Sequence, residues 1–294
     1  MRALQARQSC EVWIVSVTGE RELAYTTKNL LLEAPNWTLD GGALILNGDG
    51  KLWRLDLEPD PATTPEPIPL TGIPQLNNDH VLAPDGHGIY LSAIDGHIYR
   101  AALSGGEATR ITANDGSFHF LHGVSPDGSE LAYVSIPAGD FTQPGKLVTI
   151  PSIGGPTQQL DVGPGHCDGP EYSRDGKWIY LNSESFTITS PGHAQIARVL
   201  KDGKQFERLV ESETVDWFPH LSPDGRFANY IRFPKGTLGH PSDLPVNLVL
   251  VATADWTTQL HTWPVFGGQG TLNVNSWSPD STRFAYVAYP ITDD

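Results

Sequence analysis

A four-residue turn signal recurs six times along these 294 residues, and nothing else in the chain restricts its folding as much. The copies are Thr38-Leu39-Asp40-Gly41, Ala83-Pro84-Asp85-Gly86, Ser125-Pro126-Asp127-Gly128, Ser173-Arg174-Asp175-Gly176, Ser222-Pro223-Asp224-Gly225 and Ser278-Pro279-Asp280-Ser281. They begin 45, 42, 48, 49 and 56 residues apart. A fixed period of about 40 to 50 residues carrying short strands marks a propeller or a repeat array. Pro and Asp favour the start of such a turn, and glycine supplies positive φ at its end.

The second copy shows the grammar of one unit. Asp79-His80-Val81-Leu82 precedes the turn, Gly88-Ile89-Tyr90-Leu91-Ser92 follows it, and Asp95-Gly96 turns the chain into His97-Ile98-Tyr99-Arg100-Ala101-Ala102. A Gly-Gly turn then leads to Ala108-Thr109-Arg110-Ile111-Thr112. Four short strands joined by Gly and Asp turns make three hairpins in succession. The last copy lacks two strands, because the chain ends soon after Arg283-Phe284-Ala285-Tyr286-Val287-Ala288. Two spare strands stand at the other terminus, Glu11–Ser16 and Leu23–Thr27. The sequence therefore predicts an all-β, six-bladed β-propeller over 1–294. Its sixth blade is built from about 9–27 plus 273–290, which leaves no open sheet edge between the chain ends.

Composition narrows the partners. A net charge of −15 argues against nucleic acid or an anionic membrane surface, both of which need clustered Lys and Arg. It suits a cationic ligand or a bound metal, or simply solubility. The two cysteines, Cys10 and Cys167, form no disulfide framework and no metal-type spacing. With no apolar run of signal or transmembrane length, the expectation is a cytoplasmic protein.

The turn motif, the blade grammar and the closure resemble the TolB-like six-bladed propellers, whose repeats carry Ser-Pro-Asp-Gly. The resemblance covers about residues 9–290. Asn77-Asn78-Asp79-His80, Leu121-His122-Gly123, Asp168-Gly169-Pro170-Glu171, Asp216-Trp217-Phe218-Pro219-His220, Gly239-His240-Pro241 and Gly267-Gly268-Gln269-Gly270-Thr271 are similar to a short, single-domain TolB-like group without TolB's N-terminal domain. Oligogalacturonate lyases share this type of propeller and bind a divalent metal through histidines near the axis. Their ligand set has no residue-by-residue counterpart here, so no position is carried over from them.

The first strand of each blade lines the central channel of a propeller, so residues shortly before each turn motif should gather around one axis. Three places before it stand His80, His122 and Asn275. Two places before it stand Asn36, Glu171 and His220. Five places before it stand Asn78, Asp168, Trp217 and Asn273. Three imidazoles and a carboxylate make a first shell for a divalent ion, so His80, His122, His220 and Asp168 are the expected ligands of Mn, Zn or Ca. Asp79 is placed to orient a neighbouring histidine. The long loop Pro234–Asp243 of the fifth repeat brings His240 and Lys235 towards the same mouth, with Glu171 as a third catalytic candidate. Asn36, Asn78, Asp79, Trp217, Arg232, Gln269, Asn273 and Asn275 complete the expected substrate contacts.

Each candidate also has a plainer reading. The histidines would hydrogen-bond neighbouring blades, Glu171 would make a salt bridge, Asp168 an Asx turn, and Trp217 would pack its blade. The turn aspartates recur in every blade and are structural. Cys167 is a weak nucleophile candidate, since nothing local argues for a lowered pKa. The leading expectation is a metal-dependent carbohydrate-active enzyme, a lyase or hydrolase, acting on a small polar or carbohydrate ligand at the axial mouth. The alternative is a non-catalytic module that binds a ligand or a protein partner.

Overall fold

A computed structural model describes residues 2–57 and 63–291. Among the described residues there is no helix; six blade sheets follow one another along the chain, and a seventh, two-stranded parallel sheet pairs Leu70–Thr71 with Gly106–Glu107. Blade 1 is Glu33–Trp37, Ala43–Gly48, Lys51–Asp56 and Glu66–Ile68. Blade 2 is Leu76–Leu82, Gly88–Ala93, Ile98–Ala102 and Thr109–Arg110. Blade 3 is Ser117–Val124, Glu130–Pro137, Lys146–Pro151 and Gln158–Gln159. Blade 4 is Cys167–Tyr172, Trp178–Ser183, Gln195–Leu200 and Phe206–Arg208. Blade 5 is Val215–Leu221, Phe227–Phe233, Ser242–Ala252 and Asp255–Gly268. In blade 6, Trp277 bridges to Phe284 in Arg283–Ala288, which pairs with Cys10–Ser16, which pairs in turn with Arg21–Thr27. The N-terminal strands thus close the last blade, and Val12 lies opposite Val287 on one side and Tyr25 on the other. The two ends of the polypeptide hold each other by main-chain bonds rather than leaving two sheet edges bare.

The turn motif works as its residue types require. In blade 3 the Ser125 hydroxyl donates to Asp127 Oδ1 at 2.6 Å and accepts from the Glu130 amide at 2.9 Å. Asp127 Oδ1 takes the Ser129 amide at 3.0 Å, and Gly128 closes the turn onto the Ser125 carbonyl at 2.8 Å with φ +70°. Ser173–Asp175, Ser222–Asp224 and Ser278–Asp280 repeat the side-chain bond. These hydroxyl and amide donors hold the Asp127 carboxyl below the usual range.

Hydrophobic layers lie between neighbouring sheets. Tyr180 and Ile196 of blade 4 meet Leu221, Tyr230 and Val249 of blade 5 in one such layer. Another joins Val12, Ala285 and Val287 of blade 6 to Leu44 and Leu46 of blade 1. Each large aliphatic side chain buried this way contributes about 1.5–3 kcal/mol.

The inner strands are not regular. Their pairing register slips between Glu33 and Asn36, Leu76 and His80, Leu121 and Gly123, Asp168 and Glu171, and Trp217 and His220. In blades 1, 4 and 5 the residue four places before the turn is left-handed: Ala34 at φ +54°, Gly169 at +60° and Phe218 at +53°. A bulge of this kind re-aims the side chains on either side of it. It decides which axial residues meet.

Candidate active site at the loop-side mouth

The axial residues divide into two groups about three residues apart along the inner strands, or about 10 Å at a strand's rise per residue. The group nearer the turn motifs centres on Glu171. Its Oε1 accepts from the Leu221 amide at 2.7 Å and from Asn275 Nδ2 at 2.9 Å, while Oε2 faces His220 Nδ1 at 2.7 Å. His220 Nε2 meets the Leu272 carbonyl at 3.1 Å. Asn36 Nδ2 donates to the Asn275 carbonyl, and Asn36 Oδ1 accepts the Leu82 amide at 3.0 Å. These four side chains tie blades 1, 2, 4, 5 and 6 together, and Asn36, Glu171 and Asn275 line a small cavity of about 260 Å³.

The second group lies towards the opposite face. Asp168 and His122 are both buried, and His122 Nε2 is 3.0 Å from Asp168 Oδ1 and 3.9 Å from Asp79 Oδ1. Burial would lower the imidazole pKa, but Asp79 and Asp168 outweigh it and raise it to about 9. The two carboxylates thus favour the imidazolium form of His122. Burial pushes Asp168 up, yet His122 and His166 hold it well below the carboxylate range. Burial, with the Asp168 charge adding to it, lifts Asp79 to about 6.

His240 completes this group, and its proton can be placed. The Gly270 amide donates to Asn273 Oδ1 at 2.7 Å, so Asn273 presents Nδ2 to Gln269 Oε1 at 3.0 Å. Gln269 Nε2 donates to Asn78 Oδ1 at 3.1 Å. Gln269 Oε1 is thus an acceptor, and His240 Nδ1, which touches it, must carry the hydrogen. His240 Nε2 stands 3.8 Å from Asp168 Oδ2. Desolvation lowers the pKa of His240 against the pull of Asp168, while 27% of its side chain stays open to a cavity. That cavity measures about 870 Å³ and is walled by loops of blades 3, 4 and 5, by Gln269 and by Arg2. A neutral ring nitrogen with a free lone pair, beside a carboxylate that would stabilise its protonated form, is equipped to take a proton from a ligand.

Trp217 and Phe218 stand behind this nitrogen. Trp217 is 1% exposed, with its ring 4.5 Å from that of His240 and 5.9 Å from that of His166. It packs the histidines and offers no open face to a sugar. The exposed ring at the mouth is Phe141, 61% exposed on the blade 3 loop. His166 accepts the Gly145 amide on Nδ1 at 2.8 Å, which leaves its Nε2 hydrogen pointing to Asp168 Oδ2, 3.8 Å away.

Several expected residues lie elsewhere. His80 faces the Ile45 carbonyl at 3.4 Å and is held neutral by burial, with its pKa lowered to about 4. Arg232 is bound to Asp216 at 3.0 Å and to the Tyr230 hydroxyl at 2.8 Å, lining a separate hollow on the flank of blade 5. Lys235 is 70% exposed and reaches Glu213 at 3.4 Å, away from the cavity wall. The Gly267–Thr271 stretch ends the 14-residue outer strand of blade 5 and crosses into blade 6. His97, just before the third strand of blade 2, is buried on Thr112. Residues that the turn alignment does not single out are His166, Phe141 and Arg2. His166 had one readable signal, its place two residues before Asp168 at a strand start.

No family model matches the chain. An uncharacterised protein of Agrobacterium fabrum is 37% identical over 290 residues, spanning 96% of this chain and 92% of its own length. A solved structure from Agrobacterium tumefaciens, provisionally assigned as a TolB, superposes with a TM-score of 0.86 at 36% identity, covering 97% of this chain and 99% of that one. The chain belongs to the TolB-like six-bladed propeller family. The likeness of this TolB-like chain extends to an oligogalacturonate lyase in complex with manganese, at 13% identity and a TM-score of 0.56 over 96% of this chain and 78% of that one, which is a likeness of fold.

The four expected metal ligands do not form one shell in this TolB-like propeller. His122 and Asp168 meet, His80 points to a neighbouring blade, and both ring nitrogens of His220 are engaged by Glu171 and Leu272. His166 has its Nδ1 lone pair taken by a backbone amide. Among the described residues no set of three or more His, Cys, Asp or Glu is arranged to hold an ion. Cys167 donates to the Gly145 carbonyl at 3.3 Å, and burial raises its thiol to about 12, so it is no nucleophile.

Proposed function

We propose that the loop-side mouth is a proton-transfer site of lyase or hydrolase type for a small, polar, carbohydrate-like substrate, with His240 as general base. The observation that carries this reading is the placement of His240, with Nδ1 fixed through Gln269 and Asn273 to a backbone amide and Nε2 set 3.8 Å from Asp168. In this reading a substrate O–H or acidic C–H enters between Nε2 and the mouth. His240 takes the proton, and Asp168 stabilises the imidazolium that results. Phe141 offers an apolar face to a sugar ring, and Thr142, Gln143 and Ser242 offer polar contacts on the same wall. No step is routed through a metal, because the residues present do not fit one.

Product formation from a panel of uronic-acid oligosaccharides tests the proposal. A general base typically supplies about 100- to 10,000-fold in rate, so His240→Gln should lose at least about 100-fold in kcat with an unchanged melting temperature. EDTA should leave the wild-type rate unaltered. A His240→Gln protein that turns over at the wild-type rate would sink the reading. A second reading, a binding module without turnover, is favoured by one feature: Arg2 of the chain itself sits in the mouth. Saturable binding of an oligosaccharide with no product would select it.

A further inference from the structure

Arg2 is the charged anchor of the N-terminal tail, which also reaches Asp243 through Gln5 at 3.1 Å and Gln8 at 2.7 Å. Residues 3, 5, 6 and 7 are exposed, yet the Arg2 side chain turns inward and is only 17% exposed. Its Nη1 donates to Glu33 Oε1 at 3.1 Å and to the Gln269 carbonyl at 2.8 Å, and its Nη2 donates to Asp243 Oδ1 at 2.8 Å. The guanidinium carbon lies 4.0 Å from the centre of the Tyr289 ring. Two carboxylates, a carbonyl and an aromatic face thus surround one planar cation.

The cradle belongs to the propeller and not to the tail. Glu33 comes from the inner strand of blade 1, Asp243 from the third strand of blade 5, and Gln269 and Tyr289 from the two ends of blade 6. Gly270 is what lets these walls close. A Cβ there would stand 2.5 Å from the Tyr289 hydroxyl and 2.6 Å from Glu33 Oε1, and its φ is +88°. Asp243 holds a left-handed φ of +62°, an uncommon backbone state for a residue with a side chain. With the cation gone, the buried Glu33 would be left with the charges of Asp79 and Asp243 near it, and both disfavour its own. The site is built around a positive charge, and three acceptors beside a ring face suit a planar fork better than a point-like ammonium.

We propose that Glu33, Asp243, the Gln269 carbonyl and Tyr289 form a guanidinium-binding site, filled in cis by Arg2 and open to the guanidinium group of a ligand once the tail leaves. The site does not rest on the role of His240, although Gln269 touches both. Binding displaces the tail that closes one side of the mouth cavity, so occupancy from outside and access to the cavity are linked.

Titration calorimetry with L-argininamide tests this on the 294-residue chain. A tethered competitor acts at an effective concentration of about a millimolar or more. Arg2→Ala should therefore bind argininamide at least about tenfold more tightly than wild type. Arg2→Lys, a gentler change, should shift binding the same way. Lysinamide should bind Arg2→Ala at least about tenfold more weakly than argininamide. A peptide of residues 1–8 should compete with argininamide, and the same peptide with alanine at position 2 should not. Adding Glu33→Gln and Asp243→Asn to Arg2→Ala should abolish binding. The proposal is overturned if Arg2→Ala binds argininamide no better than wild type, if lysinamide binds equally well, or if the triple variant still binds.

Discussion

The His122 imidazolium predicts how the stability of the propeller changes with pH. Its pKa stands at about 9 in the folded chain against 6.5 for an unperturbed imidazole, through the charges of Asp79 and Asp168 that outweigh burial. A group whose pKa is raised by folding contributes stability that is complete below 6.5 and disappears as pH climbs through 9. Each pH unit between the two values is worth about 1.4 kcal/mol, so the contribution is about 3 kcal/mol. His122 is 5% exposed, and solvent screening takes little from that figure. Asp79 acts in the same direction at lower pH: its pKa rises with folding to about 6, and stability falls as pH increases towards that value. The two windows barely overlap. Urea unfolding followed by tryptophan fluorescence at pH 6.5, 7.5, 8.5 and 9.5 should show wild type losing about 3 kcal/mol across the series, with His122→Gln nearly flat. A parallel decline in both proteins, or no decline in wild type, would refute the reasoning.

The other expectations can be checked one by one. Asp168→Asn removes one partner of a buried pair and leaves His122 with Asp79 alone; it should cost about 3 kcal/mol at pH 7 and abolish turnover, read by urea titration and product assay. Cys10 and Cys167 are buried and both raised to about 12, so iodoacetamide at pH 8 should leave native protein unlabelled and add two groups in urea, read by intact mass. Val12→Asp places a charge at a fully buried position of the closing strand. A loss of at least about 3 kcal/mol is expected, and for a chain of this size a melting temperature lower by more than about 6 °C. If His240 is the base, kcat/KM should be level above about pH 6.5 and fall in acid as the ring takes up a proton, since burial lowers its pKa.

What the sequence shows and what it hides follow from one geometric fact. The six turn motifs are local chemistry, a carboxylate and, in all but the Ala83 copy, a hydroxyl capping amides a few residues away, and they read directly from four letters. The closure by Cys10–Ser16 is legible for a similar reason, since the last repeat is short by the number of strands that the N-terminus has spare. The ring of axial residues is less legible. Counting back from each motif assumes that all inner strands pleat alike, whereas Ala34, Gly169 and Phe218 are left-handed and blades 2 and 3 slip elsewhere. His122, three places before its turn, therefore meets Asp168, five places before its own. His80, aligned with His122, turns to a neighbouring carbonyl instead. Glu171 and His220 did land together, but on the turn side and bonded to each other. Arg2 carried no signal at all, because its partners come from residues 33, 243, 269 and 289.

The protonation pattern of the mouth is the point on which the functional account turns, and it is visible without any substrate. Two-bond ¹H–¹⁵N correlation spectra of the histidine rings at pH 7, assigned by single His→Gln substitutions, report the state of each ring. His240 should appear as the neutral Nδ1–H tautomer and His122 as the doubly protonated ring. A protonated His240, or a proton on its Nε2, would remove the base and contradict the account.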